Sequence, residues 1–185
     1  MSGRETIALP DLDNLTPEQQ KIADAVAAGP RGVVRGPVRA WLHSPELADI
    51  AQRLGEFLRW RTVIGQRIAE LVILTTARHY SCHYIWFNHL PMALKAGLDP
   101  QIAEAIKNRN APDFAREEEA VAYRFAREAL AGERVSDATL KKAKALFSER
   151  GVVEMGALIA HYHSGAIVLS LADIDLPDGT KTCLP

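Results

Sequence analysis

Apolar residues recur at three- and four-residue intervals along almost the whole chain, and no segment alternates convincingly with period two. Leu47, Ile50, Leu54, Phe57 and Leu58 form one such stripe, expected to face a core. Phe114, Val121 and Phe125 mark a longer helix through Leu130. Residues 64–79 and 82–96 read as two consecutive, strongly apolar helices, and residues 152 to about 172 as a last, central one. The few β-branched runs fall inside helical patterns. The pattern predicts an all-α, single-domain helical bundle.

Punctuation residues set the boundaries. Residues 1–15 read as an irregular arm ending at Thr16-Pro-Glu-Gln19, where Thr16 caps a helix and Gln19 reaches back as a capping box. That helix should stop near Gly29-Pro30, before a Gly- and Pro-containing loop from Arg31 to Pro37. A short helix over residues 38–43 leads to a second cap, Ser44-Pro45-Glu46. Neither Gly nor Pro separates the two apolar helices; the break is placed near Tyr80-Ser81, with Ser81 as cap, and the second ends at Gly97. Asp99-Pro100 starts a short helix, and Ser136 begins another that Gly151 should close. The domain is thus residues 16–172, followed by a loop-like tail over 173–185.

A chain of 185 residues with 48% apolar content can bury a real core. A net charge of −1, few aromatics and no recurring basic patch argue against a nucleic-acid partner. The apolar stretches read as shorter than a bilayer span, interrupted by Arg, His and Glu, so no membrane partner is expected. Met1-Ser-Gly-Arg-Glu-Thr lacks the pattern of a signal peptide, which makes a cytoplasmic location the expectation. Cys82 and Cys183 lie far apart, and a structural disulfide between them is not expected in a reducing compartment.

Candidate chemistry concentrates between residues 70 and 89. Glu70 follows Ile68-Ala69 and precedes Leu71 to Leu74, so it must be paired, protonated or working. Cys82, Trp86 and His89 share a helical face at intervals of four and three. With Ser81 as cap, Cys82 falls in the first turn, where the helix dipole favours a thiolate. His89 can move a proton or pair with Glu70 from the neighbouring helix. The bland alternatives are a buried apolar thiol for Cys82 and an ion pair of Glu70 with Arg67 or Arg78. Taken as a trio, Glu70, Cys82 and His89 favour a working site.

These residues resemble a known family. Glu70, then Ala77-Arg78, then Cys82-x-Tyr84-x-Trp86-x-x-His89, then Ala93 and Ala96-Gly97 are similar to the core of the carboxymuconolactone decarboxylase family. That family shares its fold with the alkyl-hydroperoxidase D type of disulfide reductase. The resemblance extends upstream to Gly36-Pro-Val-Arg-Ala-Trp-Leu-His-Ser-Pro-Glu-Leu-Ala48 and downstream to Gly151-Val-Val-Glu154 and Ala160-His-Tyr162. It implies an alkyl-hydroperoxidase D-like bundle, catalytic roles for Glu70, Cys82 and His89, and a homotrimer or homohexamer with sites near subunit contacts.

Two departures matter. The peroxidase branch uses a Cys-x-x-Cys pair, but Ile85 occupies the second cysteine's place, and Cys183 resolves a sulfenic acid only if the tail folds back or reaches another subunit. The decarboxylase branch usually has an acid where Ile85 stands. The leading expectation is a cofactor-free lyase or isomerase for a small carboxylated or lactone-type substrate. Tyr84, Ile85 and Trp86 would form an apolar wall, Arg39 or Arg78 would hold a carboxylate, and His89 or protonated Glu70 would deliver a proton. The rivals are a thiol peroxidase using Cys82 with an external reductant, and a non-catalytic oligomeric binding protein. His79 and His83, four apart, and His161 and His163, two apart, read as solvated or core histidines, with no metal expected. One of His161 and His163 on the last helix is expected to line the pocket, His163 being taken as the candidate substrate contact, and Tyr162 reads equally as core or pocket residue.

Overall fold

The computed structural model describes residues 5–132, 134–172, 174, 176 and 182–185. Its elements are α1 (Pro17–Ala28), α2 (Pro37–Trp41), α3 (Pro45–Trp60), α4 (Gln66–His79), α5 (His83–Lys95), α6 (Pro100–Lys107), α7 (Glu117–Leu130) and α8 (Asp137–Ala172), with no strand among the described residues. The helical pattern of the sequence is realised throughout. The boundary between domain and tail falls partly outside the described residues.

Helix α4 is the axis of the bundle, packed against α5, α7 and α8. Every residue from Ile68 to Arg78 is buried, which explains why this helix is apolar on all sides. Its threonines satisfy themselves within the helix, Thr75 Oγ1 donating to Leu71 O at 2.8 Å and Thr76 Oγ1 to Val72 O at 2.9 Å. A satellite core of Ile22, Val26, Val38, Trp41, Leu42 and Ala48 ties α1, α2 and α3 together. The capping box forms as expected: Gln19 N donates to Thr16 Oγ1, and Thr16 N to Gln19 Oε1.

Three local expectations are corrected. The α3 stripe is not a core face: Leu47, Ile50 and Leu54 are 50%, 53% and 43% exposed, and only Leu58 of the stripe is in the core. The buried face is Ala48, Gln52, Gly55 and Leu58, whose small residues let α3 approach its neighbours closely. Helix α5 begins one residue later than expected, with Cys82 as its N-cap. Ser81 instead takes a left-handed φ of 48° and accepts hydrogen bonds from Arg78 Nη1 at 2.9 Å and Arg109 Nη2 at 3.1 Å. The last break lies at Ser148 (φ 64°), not at Gly151. Gly151 is helical and buried; a Cβ there would meet Phe147 Cβ at 2.8 Å and Ile64 Cγ2 at 3.2 Å, so it serves close packing.

By length and composition alone, α8 is apolar enough to cross a membrane, unlike the sequence expectation. Half of its most apolar window is packed inside the fold, against α2, α3, α4 and α7, which accounts for that apolarity.

Candidate functional site

Glu70 has no exposed surface. Its Oε2 lies 2.8 Å from His89 Nδ1, across the α4–α5 interface, and its Oε1 accepts from Gln66 Nε2 at 2.8 Å. On the far side of the imidazole, His89 Nε2 is 3.2 Å from the Tyr162 hydroxyl of α8, and the two rings meet edge-on at 5.0 Å. Three helices thus contribute one residue each to a continuous chain, Glu70–His89–Tyr162. With Glu70 as the acceptor at both oxygens, Nδ1 carries the proton and Tyr162 O–H donates to Nε2, an assignment fixed by the network.

Burial sets the charge states. It lowers the pKa of His89 despite the opposing pull of Glu70, so the imidazole rests neutral. It also raises the pKa of Tyr162, keeping the phenol protonated. The ion-pair alternatives for Glu70 do not occur: Arg67 pairs with Glu118 and Glu119, while Arg78 donates to Lys107 O and Ser81 Oγ.

His89 and Tyr162 open onto a cavity of about 70 Å³. Its aromatic wall comes from Trp41, Tyr84 and His161, with Ile85 and Met92 as apolar lining. Arg31, Arg35 and Arg59 also line it, and no Asp or Glu does among the described residues. The Nε atoms of Arg31 and Arg59 are buried with no hydrogen-bond partner among the described residues, a deficit that an anionic ligand would relieve. Burial, followed by the charges of Arg31 and Arg59, lowers His161 to about 4, so it is neutral at physiological pH.

Glycines make this room. A Cβ on Gly55, in mid-α3, would come within 2.5 Å of Arg31 Nη2 and 2.7 Å of His161 Nε2. Gly36 (φ 59°) opens α2 directly against Tyr84, whose ring a Cβ would meet at 2.6 Å.

The structure therefore joins Glu70 to His89 and places Tyr84 and Ile85 on the cavity. The remaining candidates lie elsewhere. Arg39 donates to Pro10 O at 3.1 Å in the N-terminal arm, and Arg78 is spent on the turn before α5; neither lines the cavity. Trp86 is a core residue, 1% exposed. His163 stacks on Tyr80 at 4.5 Å, and its neighbour His161 reaches the cavity instead. Cys82 does not line the cavity, sitting two turns, about 10 Å of helix rise, before His89. Burial raises its pKa, outweighing the amides of Ile85 and Tyr84, so the expected thiolate-favouring effect of the helix start does not prevail.

Arg31, Arg35 and Arg59 were not among the sequence candidates. A signal existed for two of them: Arg31 and Arg35 interrupt a stiff Gly-Pro loop, a common location for binding residues. Arg59 carried none.

No family model matches this sequence, and no curated protein is significantly similar to it. Solved structures are. The debrominase Bmp8, known in a cysteine-to-alanine variant with 2,3,4-tribromopyrrole, superposes with a TM-score of 0.73 at 14% identity, over 94% of this chain and 92% of its own. A peroxidase-related protein from Silicibacter sp. TM1040 gives 0.74 at 17% identity, over 96% and 95%. ATU0492 from Agrobacterium tumefaciens, of unknown function and ascribed to antioxidant defence as an AhpD, gives 0.65 at 16%, over 77% and 99%. The fold is thereby defined: the chain has the all-α, alkyl-hydroperoxidase D-like fold of these structures.

Proposed function

We propose that this protein is a lyase or isomerase that moves a proton on a small, planar, carboxylated or lactone-type substrate, using its own side chains. The observation that carries the reading is the buried Glu70–His89–Tyr162 chain ending at a cavity that, among the described residues, is lined by three guanidinium groups and no carboxylate. The volume corresponds to room for about five waters, which restricts the ligand to a small molecule. A substrate carboxylate would take the unpartnered Nε–H groups of Arg31 and Arg59, and the ring or enol plane would lie against Trp41 and Tyr84.

In the resting tautomer the chain is set to act as a base. Tyr162 O accepts a proton from substrate carbon as its own proton passes to His89 Nε2, and the resulting imidazolium is held by the Glu70 carboxylate. Returning the proton at another carbon completes an isomerisation. Loss of carbon dioxide from a vinylogous acid leaves a carbanion equivalent that takes the Tyr162 hydroxyl proton, and the tyrosinate left behind is reprotonated by water entering the cavity. The guanidinium groups stabilise the enolate in either case.

The experiment is deuterium incorporation from D2O, followed by NMR, with a panel of small lactone carboxylates and unsaturated acids. Exchange or decarboxylation in the parent protein, with at least a tenfold rise in KM for Arg59→Met, is the expected result. Absence of both reactions across the panel, or substrate turnover indifferent to Arg59, would overturn the assignment. Assembly into a homotrimer or homohexamer belongs to the same proposal; the exposed Leu47, Ile50 and Leu54 stripe is the surface that supports it.

A further inference from the structure

Residues 183–185 are seated at the start of α5, beside Cys82. Leu184 is 7% exposed and joins the main core. The backbone amides of Cys183 and Leu184 both donate to His83 Nδ1, at 3.1 and 3.2 Å, and Cys183 Sγ donates to His83 O at 3.3 Å. Arg78 Nη2 reaches Pro185 O at 3.4 Å. Cys183 is thereby placed against the residue immediately after Cys82, a sequence separation of about a hundred residues closed by named contacts. Burial chiefly raises the Cys82 pKa, and the nearby Cys183 thiol adds to that upward push, in keeping with their proximity.

We propose that Cys82 and Cys183 form a dithiol–disulfide redox site, with the tail supplying in space the second thiol that Ile85 replaces in sequence. The oxidant is a small hydroperoxide and the reductant an external dithiol. Cys82 sulfur attacks the peroxide, breaking O–O; the sulfur gains OH, and the alkoxide leaves as the alcohol with the thiol proton. Cys183 sulfur then attacks the sulfenic sulfur, expelling water and forming S–S. Two thiols are oxidised by two electrons, and one hydroperoxide is reduced to alcohol and water. The external dithiol returns two electrons and two protons and ends as a disulfide. This site is separate from the arginine-lined cavity and does not depend on its reading. The raised thiol pKa makes the first step slow at neutral pH and faster as pH rises.

The test exposes the full chain to one equivalent of tert-butyl hydroperoxide, alkylates what remains, and maps peptides by mass spectrometry. The parent should yield an intrachain Cys82–Cys183 linkage and turn over peroxide with dithiothreitol. Cys183→Ser should leave a sulfenic acid at Cys82, trapped by dimedone, with turnover at least tenfold slower. Cys82→Ser should abolish the linkage and leave Cys183 alkylatable, so a folding failure of the first variant leaves the second decisive. Both thiols alkylated after treatment, a linkage only between chains, or equal turnover without Cys183 would refute the site.

Discussion

Replacing Glu70 with Gln removes one charge from the centre of the α4–α5 interface while keeping shape. The carboxylate is fully buried, and its partner nitrogens on Gln66 and His89 are both at 2.8 Å. Gln66 is exposed and can turn its amide, so the new side chain can still be hydrogen-bonded on both sides. What cannot be replaced is the negative charge that stabilises imidazolium. Taking the charge centres about 4 Å apart and an effective dielectric of about 20, that stabilisation is roughly 4 kcal/mol. At about 1.4 kcal/mol per decade, the base step slows by about three orders of magnitude, within the span expected for general acid–base catalysis. Folding stability should change by only about 1 kcal/mol, because the cost of desolvating the carboxylate disappears with it. Deuterium incorporation and thermal unfolding, run on the same preparation, separate the two quantities. A variant that exchanges within threefold of the parent, or one that loses more than about 3 kcal/mol with unchanged exchange, would show that Glu70 only holds helices together.

Gly55→Ala gains about 1 kcal/mol of helix propensity but places a methyl group against Arg31 and His161. Melting should move by only a few degrees, while small-carboxylate affinity, measured by calorimetry, falls at least tenfold; unchanged affinity would remove Gly55 from the cavity. Glu154 accepts from Thr62 Oγ1, Val63 N and Arg150 Nε, each at 2.7 Å; burial alone would raise its pKa, but these bonds outweigh it and bring the pKa below 4.5. Because its folded pKa is depressed, its stabilisation is present above the unfolded value and lost as pH falls below about 4.5. Glu154→Gln should cost about 2 kcal/mol at pH 7 in denaturant titration, with the difference from the parent shrinking in acid. His161, held neutral by burial and the two arginines, should show no imidazole titration by NMR until pH nears 4; a midpoint at about 6 or above contradicts the packing described. Finally, Ile50→Glu combined with Leu54→Glu should leave circular dichroism intact, because both side chains are exposed, and reduce particle size in light scattering; an unchanged size would mean the stripe is not the subunit contact.

The periodicity of apolar positions was enough to define an all-α bundle, the cap at Thr16 and the burial of the segment around Glu70, because a helix apolar on every side has only one stable location. A spacing of nineteen residues between Glu70 and His89 could suggest their pairing because adjacent antiparallel helices bring such positions together. Local pattern failed where two surfaces compete for one helix. On α3, the stripe of large residues looked like the buried face, yet the small face running from Ala48 to Gly55 is the one that packs, since close approach there creates the cavity. Nor did any local signal distinguish Arg59 from Arg39, or His161 from His163. Which of two equivalent side chains reaches a cavity depends on the rotation of one helix against another, a quantity of the packed tertiary structure that no stretch of sequence contains.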